Sequence, residues 1–136
     1  MSMRSTALGV TVVLAVPACA LARPLVLADG GETAYCIVVA DDGTAPERHA
    51  AEELSHFLLE VTRADFPIVG PADVGGRPRI LVGQGAHVEA VLPECDWASL
   101  GSDGLIKRTV GSDLILAGGR PRGTLYAVYD FLEDEV

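Results

Sequence analysis

The sequence predicts an α+β domain in which a mixed β-sheet carries two main helices packed on one face. Three observations predict it. Short apolar runs bounded by Gly, Asp and Pro recur at 35–40, 67–69, 79–82, 104–110 and 113–117, the lengths and boundaries expected of strands. Two longer stretches, 44–62 and 124–135, repeat apolar residues with the helical period instead. The strand, helix, strand order over 35–69 implies a parallel crossover, whereas the two-residue step Gly111-Ser112 implies an antiparallel hairpin, so the sheet is mixed.

With 136 residues, 49% hydrophobic and 21% charged, the chain suffices for one core and not for two. Its first residues are set apart. Met1-Ser2-Met3-Arg4 is a basic start, 7–18 is apolar apart from Gly9 and Thr11, and Ala20-Leu21-Ala22 is a small-x-small signal. A secretory signal peptide over 1–22 is expected, with the domain covering 23–136. The apolar run falls short of the about 18 residues that cross a bilayer, and Pro17 interrupts it, so no membrane span is expected. A lipoprotein alternative would use Cys19, with Pro17 poorly placed for it.

Cleavage after Ala22 removes Arg4 and no carboxylate, moving the formal charge from −9 to −10. Such an acidic chain, whose basic pairs are only Arg77/Arg79 and Arg120/Arg122, is no nucleic-acid binder. Export implies a secreted or periplasmic location. It also permits a disulfide between Cys36 and Cys95; the alternative is that Cys36 is a small buried hydrophobe and Cys95 a loop thiol.

Along the chain, 25–28 reads as an edge strand and 35–40 as a central one. Thr44-Ala45-Pro46-Glu47 then has the form of a capping box, with Thr44 as N-cap and Glu47 at N3. The helix it opens carries the stripe Ala50, Ala51, Leu54, Phe57, Leu58 and Val61. Strands follow at 67–69 and 79–82, joined by the flexible 71–78. Residues 86–92 form a helical turn stopped by Pro93, and 94–103, with Trp97, form a loop.

The last third organises the rest. After the hairpin, Gly118-Gly119-Arg120-Pro121-Arg122-Gly123 makes a corner, and Leu125, Val128, Tyr129, Leu132 and Val136 form one helical stripe. This stripe is expected to cover the sheet. Tyr126 and Phe131 project away from it, available to something that docks. The chain stops on Glu133-Asp134-Glu135-Val136 with no C-cap glycine or basic residue, so a longer parent is expected to continue from this helix.

The hairpin followed by G-G-R-P-R-G-T-L-Y-A-V-Y-D-F-L-E-D-E resembles the end of the non-catalytic N-terminal α/β domain of α-glucuronidase-type glycoside hydrolases. Similar domains precede the barrel of β-hexosaminidases and chitobiases. The helix over 44–62 and the strand over 79–82 fit the same pattern, and the likeness covers roughly 25–136. It implies an accessory domain with a following catalytic barrel as its partner, the carbohydrate substrate being met through that barrel, in xylan-type polysaccharide breakdown.

No catalytic set emerges from the residues themselves. The corner has P-loop glycine spacing but Thr124 where lysine is required. Its glycines are read as serving a tight turn, with Arg120 and Arg122 free to bind an anion or a carboxylate of the next domain. His49 and His56 lie two turns apart, about 10.5 Å along the axis, too far to share a metal, and H-A-A-E-E-L-S-H is not H-E-x-x-H. Asp134 and Glu135 point about 100° apart and do not face each other across a substrate. The expectation is therefore an accessory module with no catalytic residue, metal or cofactor, whose interdomain contacts are Arg120, Arg122, Tyr126 and Phe131. The alternative is a carbohydrate-binding or cell-surface module stacking sugars on Trp97, Tyr35 or Tyr126, which the 5% aromatic content disfavours.

Overall fold

The computed structural model describes residues 25–136, and the leader expected over 1–22 and Cys19 lie outside them. Five strands form one sheet: β1 Cys36–Val39, β2 Ile68–Val69, β3 Arg79–Val82, β4 Leu105–Val110 and β5 Asp113–Gly118. Three helices accompany them: α1 Ala45–Thr62, α2 Ala86–Glu89 and α3 Gly123–Glu135. The spatial order is β2-β1-β3-β5-β4, with β4 antiparallel to β5 and every other pairing parallel. The fold is thus α+β with a mixed sheet.

Both faces of the sheet are buried, which explains why the central strands read as continuous apolar runs. Ile37, Ile80, Val82, Leu114 and Leu116 point to one face, where Leu54 and Leu58 of α1 and Val128 and Phe131 of α3 cover them. The two main helices therefore share a face. Cys36, Val38, Leu81, Ile115 and Ala117 point the other way, onto Val88, Leu92 and the half-buried Trp97.

Local chemistry sets the element boundaries. The Thr44 hydroxyl accepts from the Glu47 N–H at 3.3 Å and the Glu47 carboxylate accepts from the Thr44 N–H at 3.0 Å, the reciprocal capping box that starts α1. Arg63 ends that helix in the left-handed conformation, its N–H bonded to the Leu59 carbonyl. The hairpin turns at Gly111, whose φ of 61° suits glycine.

Two expectations need correction. Residues 25–28 are not a strand; Leu25, Leu27 and Ala28 pack against the core as irregular chain, and only Asp29 and Glu32 bridge each other. The sheet-facing arc of α3 is Thr124, Ala127, Val128 and Phe131, rotated from the stripe expected. The reason is that α3 has two neighbours, the sheet and α1. Tyr129 turns toward α1, its hydroxyl donating to Glu53 Oε1 at 3.2 Å, so the longest apolar stripe marks a helix–helix flank and not the sheet contact.

Candidate functional site

The chain runs from β1 to β2 on one side and then crosses to β3 on the other, so the strand order reverses at β1. In open sheets with parallel strands, the crevice beyond the carboxyl ends at such a reversal is where ligands bind. Here that edge gathers the N-terminus of α1 after β1, Gly83-Gln84-Gly85 after β3, and the 118–123 corner after β5.

At its centre is Glu47, 1% exposed. Oε1 accepts from the Thr44 N–H at 3.0 Å and Arg120 Nη2 at 3.2 Å. Oε2 accepts from the Gln84 N–H and Arg120 Nε, both at 3.1 Å. Burial alone pushes this carboxyl up, but the Arg120 guanidinium and the two backbone donors outweigh it and hold it below the usual carboxylate range. With four donors on its two oxygens and its charge matched, Glu47 is neither a free base nor an open metal ligand. Gln84 extends the clamp, its side-chain Nε2 donating to the Gly118 carbonyl at 2.9 Å.

The corner itself is wedged against the segment before β4. A Cβ on Gly119 would lie 1.7 Å from the Gly101 carbonyl oxygen, and one on Gly118 would lie 2.4 Å from the Gly123 carbonyl carbon. The Gly119 N–H donates to the Gly104 carbonyl at 2.8 Å and the Arg122 N–H to the Ser102 carbonyl at 3.1 Å. The glycines thus serve close backbone approach, not phosphate. Thr124, in the position of a P-loop lysine, is buried, and its hydroxyl has no partner among the described residues.

His87 closes the same edge from the other face of the sheet. Its Nε2 donates to the Val82 carbonyl at 3.3 Å, which leaves Nδ1 as an acceptor without a partner among the described residues. Burial pushes the imidazole below its ordinary range, and the Val82 contact opposes this only in part. Nδ1 looks at Gly85, where a Cβ would lie 2.8 Å away, and not at solvent.

The expected contact residues divide. Arg120 is turned inward onto a carboxylate of its own fold, where a partner's had been expected. Arg122 stays exposed, donating from Nε to Asp103 Oδ1 at 2.7 Å. Tyr126 is 40% exposed. Phe131 is corrected: at 5% exposed it is packed in the core instead of projecting away from it. Cys36 and Cys95 are both free cysteines, Cys36 buried in β1 and Cys95 at the rim of the same apolar layer, so the structure contains no bridge between them. Of the rings considered for sugar stacking, Tyr35 is buried with its hydroxyl on the Ser112 carbonyl at 2.7 Å, and Trp97 is packed on the second core.

The seam between α1 and α3 was not anticipated. Phe57 at 38% and Tyr129 at 39% stay exposed along it, and Val61 at 57% and Val136 lie toward its end. There it opens into a cleft of about 500 Å³ lined by the apolar Leu25, Leu27, Leu58, Leu114 and Phe131 and by the charged Lys107, Arg108 and Glu135. Phe57 and Val61 belonged to the expected α1 stripe, but they sit on its edge, beyond the reach of the sheet. Among the described residues no group of three His, Cys, Asp or Glu side chains gathers to hold a metal, and no helix is long and apolar enough to cross a membrane. Compared with protein-family models and with curated proteins, the chain matches none.

Proposed function

We propose that the chain is the non-catalytic N-terminal accessory module of a secreted or periplasmic glycoside hydrolase resembling α-glucuronidases, with a fold of the kind that precedes the barrel in β-hexosaminidases. Its role is to support a following catalytic barrel that acts in xylan-type polysaccharide breakdown. The order hairpin, glycine corner, α3 supports this reading, as does the motif carried by 118–135.

The observation that carries it is the state of Glu47. The one fully buried carboxylate among the described residues lies where a ligand would bind in this class of sheet, and all its acceptor capacity is spent on joining α1, β3 and the corner. Polar groups at the carboxyl edge hold the fold together. The accessible surface that remains distinctive is the outer side of α1 and α3, with Tyr126, Tyr129 and Phe57.

The test is sedimentation velocity of the chain mixed with an α-glucuronidase catalytic barrel produced without its own N-terminal domain, alongside glucuronoxylan hydrolysis and glycan-array binding by the chain alone. A complex with the barrel, with no hydrolysis and no glycan binding by the chain, is expected. Glycan binding without barrel association would establish the carbohydrate-binding alternative, and hydrolysis by the chain alone would refute the non-catalytic reading.

A further inference from the structure

We propose that His87 is an acid-released latch: a proton gained at Nδ1 drives the link 83–85 off the carboxyl edge of the sheet and uncovers the Glu47–Arg120 pair. The link is held between two side chains. A Cβ on Gly83 would lie 3.0 Å from Glu47 Cδ, and one on Gly85 would lie 2.8 Å from His87 Nδ1, so Glu47 braces one end and His87 the other. Between them Gln84 ties the link down, its N–H donating to Glu47 Oε2 at 3.1 Å and its Nε2 to the Gly118 carbonyl at 2.9 Å.

The neutral ring suits this packing and the charged ring does not. Nε2 donates to the Val82 carbonyl at 3.3 Å, while Nδ1 is buried with no hydrogen-bond partner among the described residues. A neutral Nδ1 forgoes one bond, whereas an Nδ1–H brings a charge into the same place with no acceptor beside it. The groups that face the ring do not supply one. Glu47 of α1 is filled by four donors, Arg79 of β3 is itself a cation, and Glu89 of α2 makes no hydrogen bond to the ring. The charged ring reaches water only when the link leaves, and the two Gln84 bonds break with it. Val88 and Leu92 keep α2 anchored in the second core, so the opening is local. Burial holds the imidazole below its ordinary value of 6.5, and the Val82 and Glu47 contacts oppose this only in part. The closed link is therefore favoured above that value and loses favour as pH falls below it. Once open, Glu47 Oε2 has lost a donor and offers an acceptor site where the strand order reverses.

The test is amide hydrogen exchange of the chain by NMR at about pH 7.5 and about pH 5.5, corrected for the intrinsic pH dependence of exchange. Protection of the Gln84 amide should fall about tenfold, the most that one proton with an ordinary value of 6.5 contributes one unit below it. At both pH values that protection should be at least about tenfold weaker than in β1 and β5 and insensitive to low urea, the marks of local opening. His87→Leu should abolish the fall. Should that variant not fold, Gln84→Ala supplies the comparison, since it keeps the backbone bond to Glu47 and removes the side-chain bond to Gly118. Its His87 ring should titrate closer to 6.5 than in the wild type, because easier opening and easier protonation are one equilibrium. Unchanged Gln84 protection in the wild type, an equal fall in His87→Leu, or exchange of Gln84 only together with β1 and β5 would overturn the proposal, as would an unmoved ring titration in Gln84→Ala. None of these readouts depends on the accessory role.

Discussion

Arg120 reaches Glu47 with two edges of its guanidinium, Nε to Oε2 at 3.1 Å and Nη2 to Oε1 at 3.2 Å, across 73 residues of sequence. The fork matches the carboxylate, and the carboxylate is buried while the arginine is partly solvated. Removing the arginine therefore strands a buried charge. Arg120→Ala is expected to lower unfolding stability by about 3 kcal/mol in urea titrations. Arg120→Lys should recover only part of the loss, because an ammonium cannot bridge both oxygens. A change within experimental error for Arg120→Ala would show that the pair does not hold the corner.

The same pair predicts an acid limb in the stability profile. The folded carboxyl of Glu47 is depressed, so its contribution is complete above the ordinary carboxylate range and is lost as pH falls through that range toward the lower folded value. Melting temperature should drop between neutral pH and about pH 3, and Glu47→Gln should start lower and fall less steeply. Parallel curves for the two proteins would exclude Glu47 as a source of the acid sensitivity.

His87 adds a second limb at milder pH. Its buried imidazole is held neutral, so the folded state resists a proton that the unfolded chain accepts from its ordinary value of 6.5 downward. Stability is present above that value and declines as pH falls below it. Proton NMR of the ring should show titration below the ordinary histidine range, and His87→Gln should flatten the melting profile between about pH 7 and pH 5. A ring that titrates normally would mean that the site is open to water.

Phe131 and Tyr126 should behave oppositely despite their shared helix. Phe131→Ala empties a site between α3 and the sheet and is expected to cost about 3–4 kcal/mol. Tyr126→Ala, on the outer side, should change stability by less than about 0.5 kcal/mol. Similar costs for both would place the helix in another rotation.

That rotation shows where sequence reasoning succeeds and where it stops. The Thr44-x-x-Glu47 box, the hairpin step at Gly111-Ser112 and the glycine corner are encoded by residues within a few positions of one another, and each was legible. The face of α3 was not, because Tyr129 is turned onto a neighbouring helix that no local pattern announces, and Leu125 and Leu132 are left only partly buried at the margin of the core. Glu47 was legible as a cap but not as an ion-pair partner, since Arg120 comes to it only after the sheet has formed. The residues that would have had to announce it were only an acidic residue at N3 of one helix and two arginines in the corner, and nothing local tells which arginine turns inward.

Corner tightness is itself testable. Gly119→Ala puts a methyl group into the Gly101 carbonyl, a backbone atom that cannot swing aside. The variant is expected to lose cooperative unfolding or to melt far below the parent, whereas Gly75→Ala, with open space around it, should lose no more than about 1–3 kcal/mol from its left-handed backbone. Equal, small effects would show the corner to be compliant.

The most direct measurement is hydrogen–deuterium exchange of the chain with and without an α-glucuronidase barrel lacking its own N-terminal domain. The account predicts slowed exchange in the exposed flanks of α1 and α3, around Phe57, Val61 and Tyr129, with the Glu47–Arg120 edge unchanged. No protection anywhere, or protection confined to the carboxyl edge of the sheet, would contradict it.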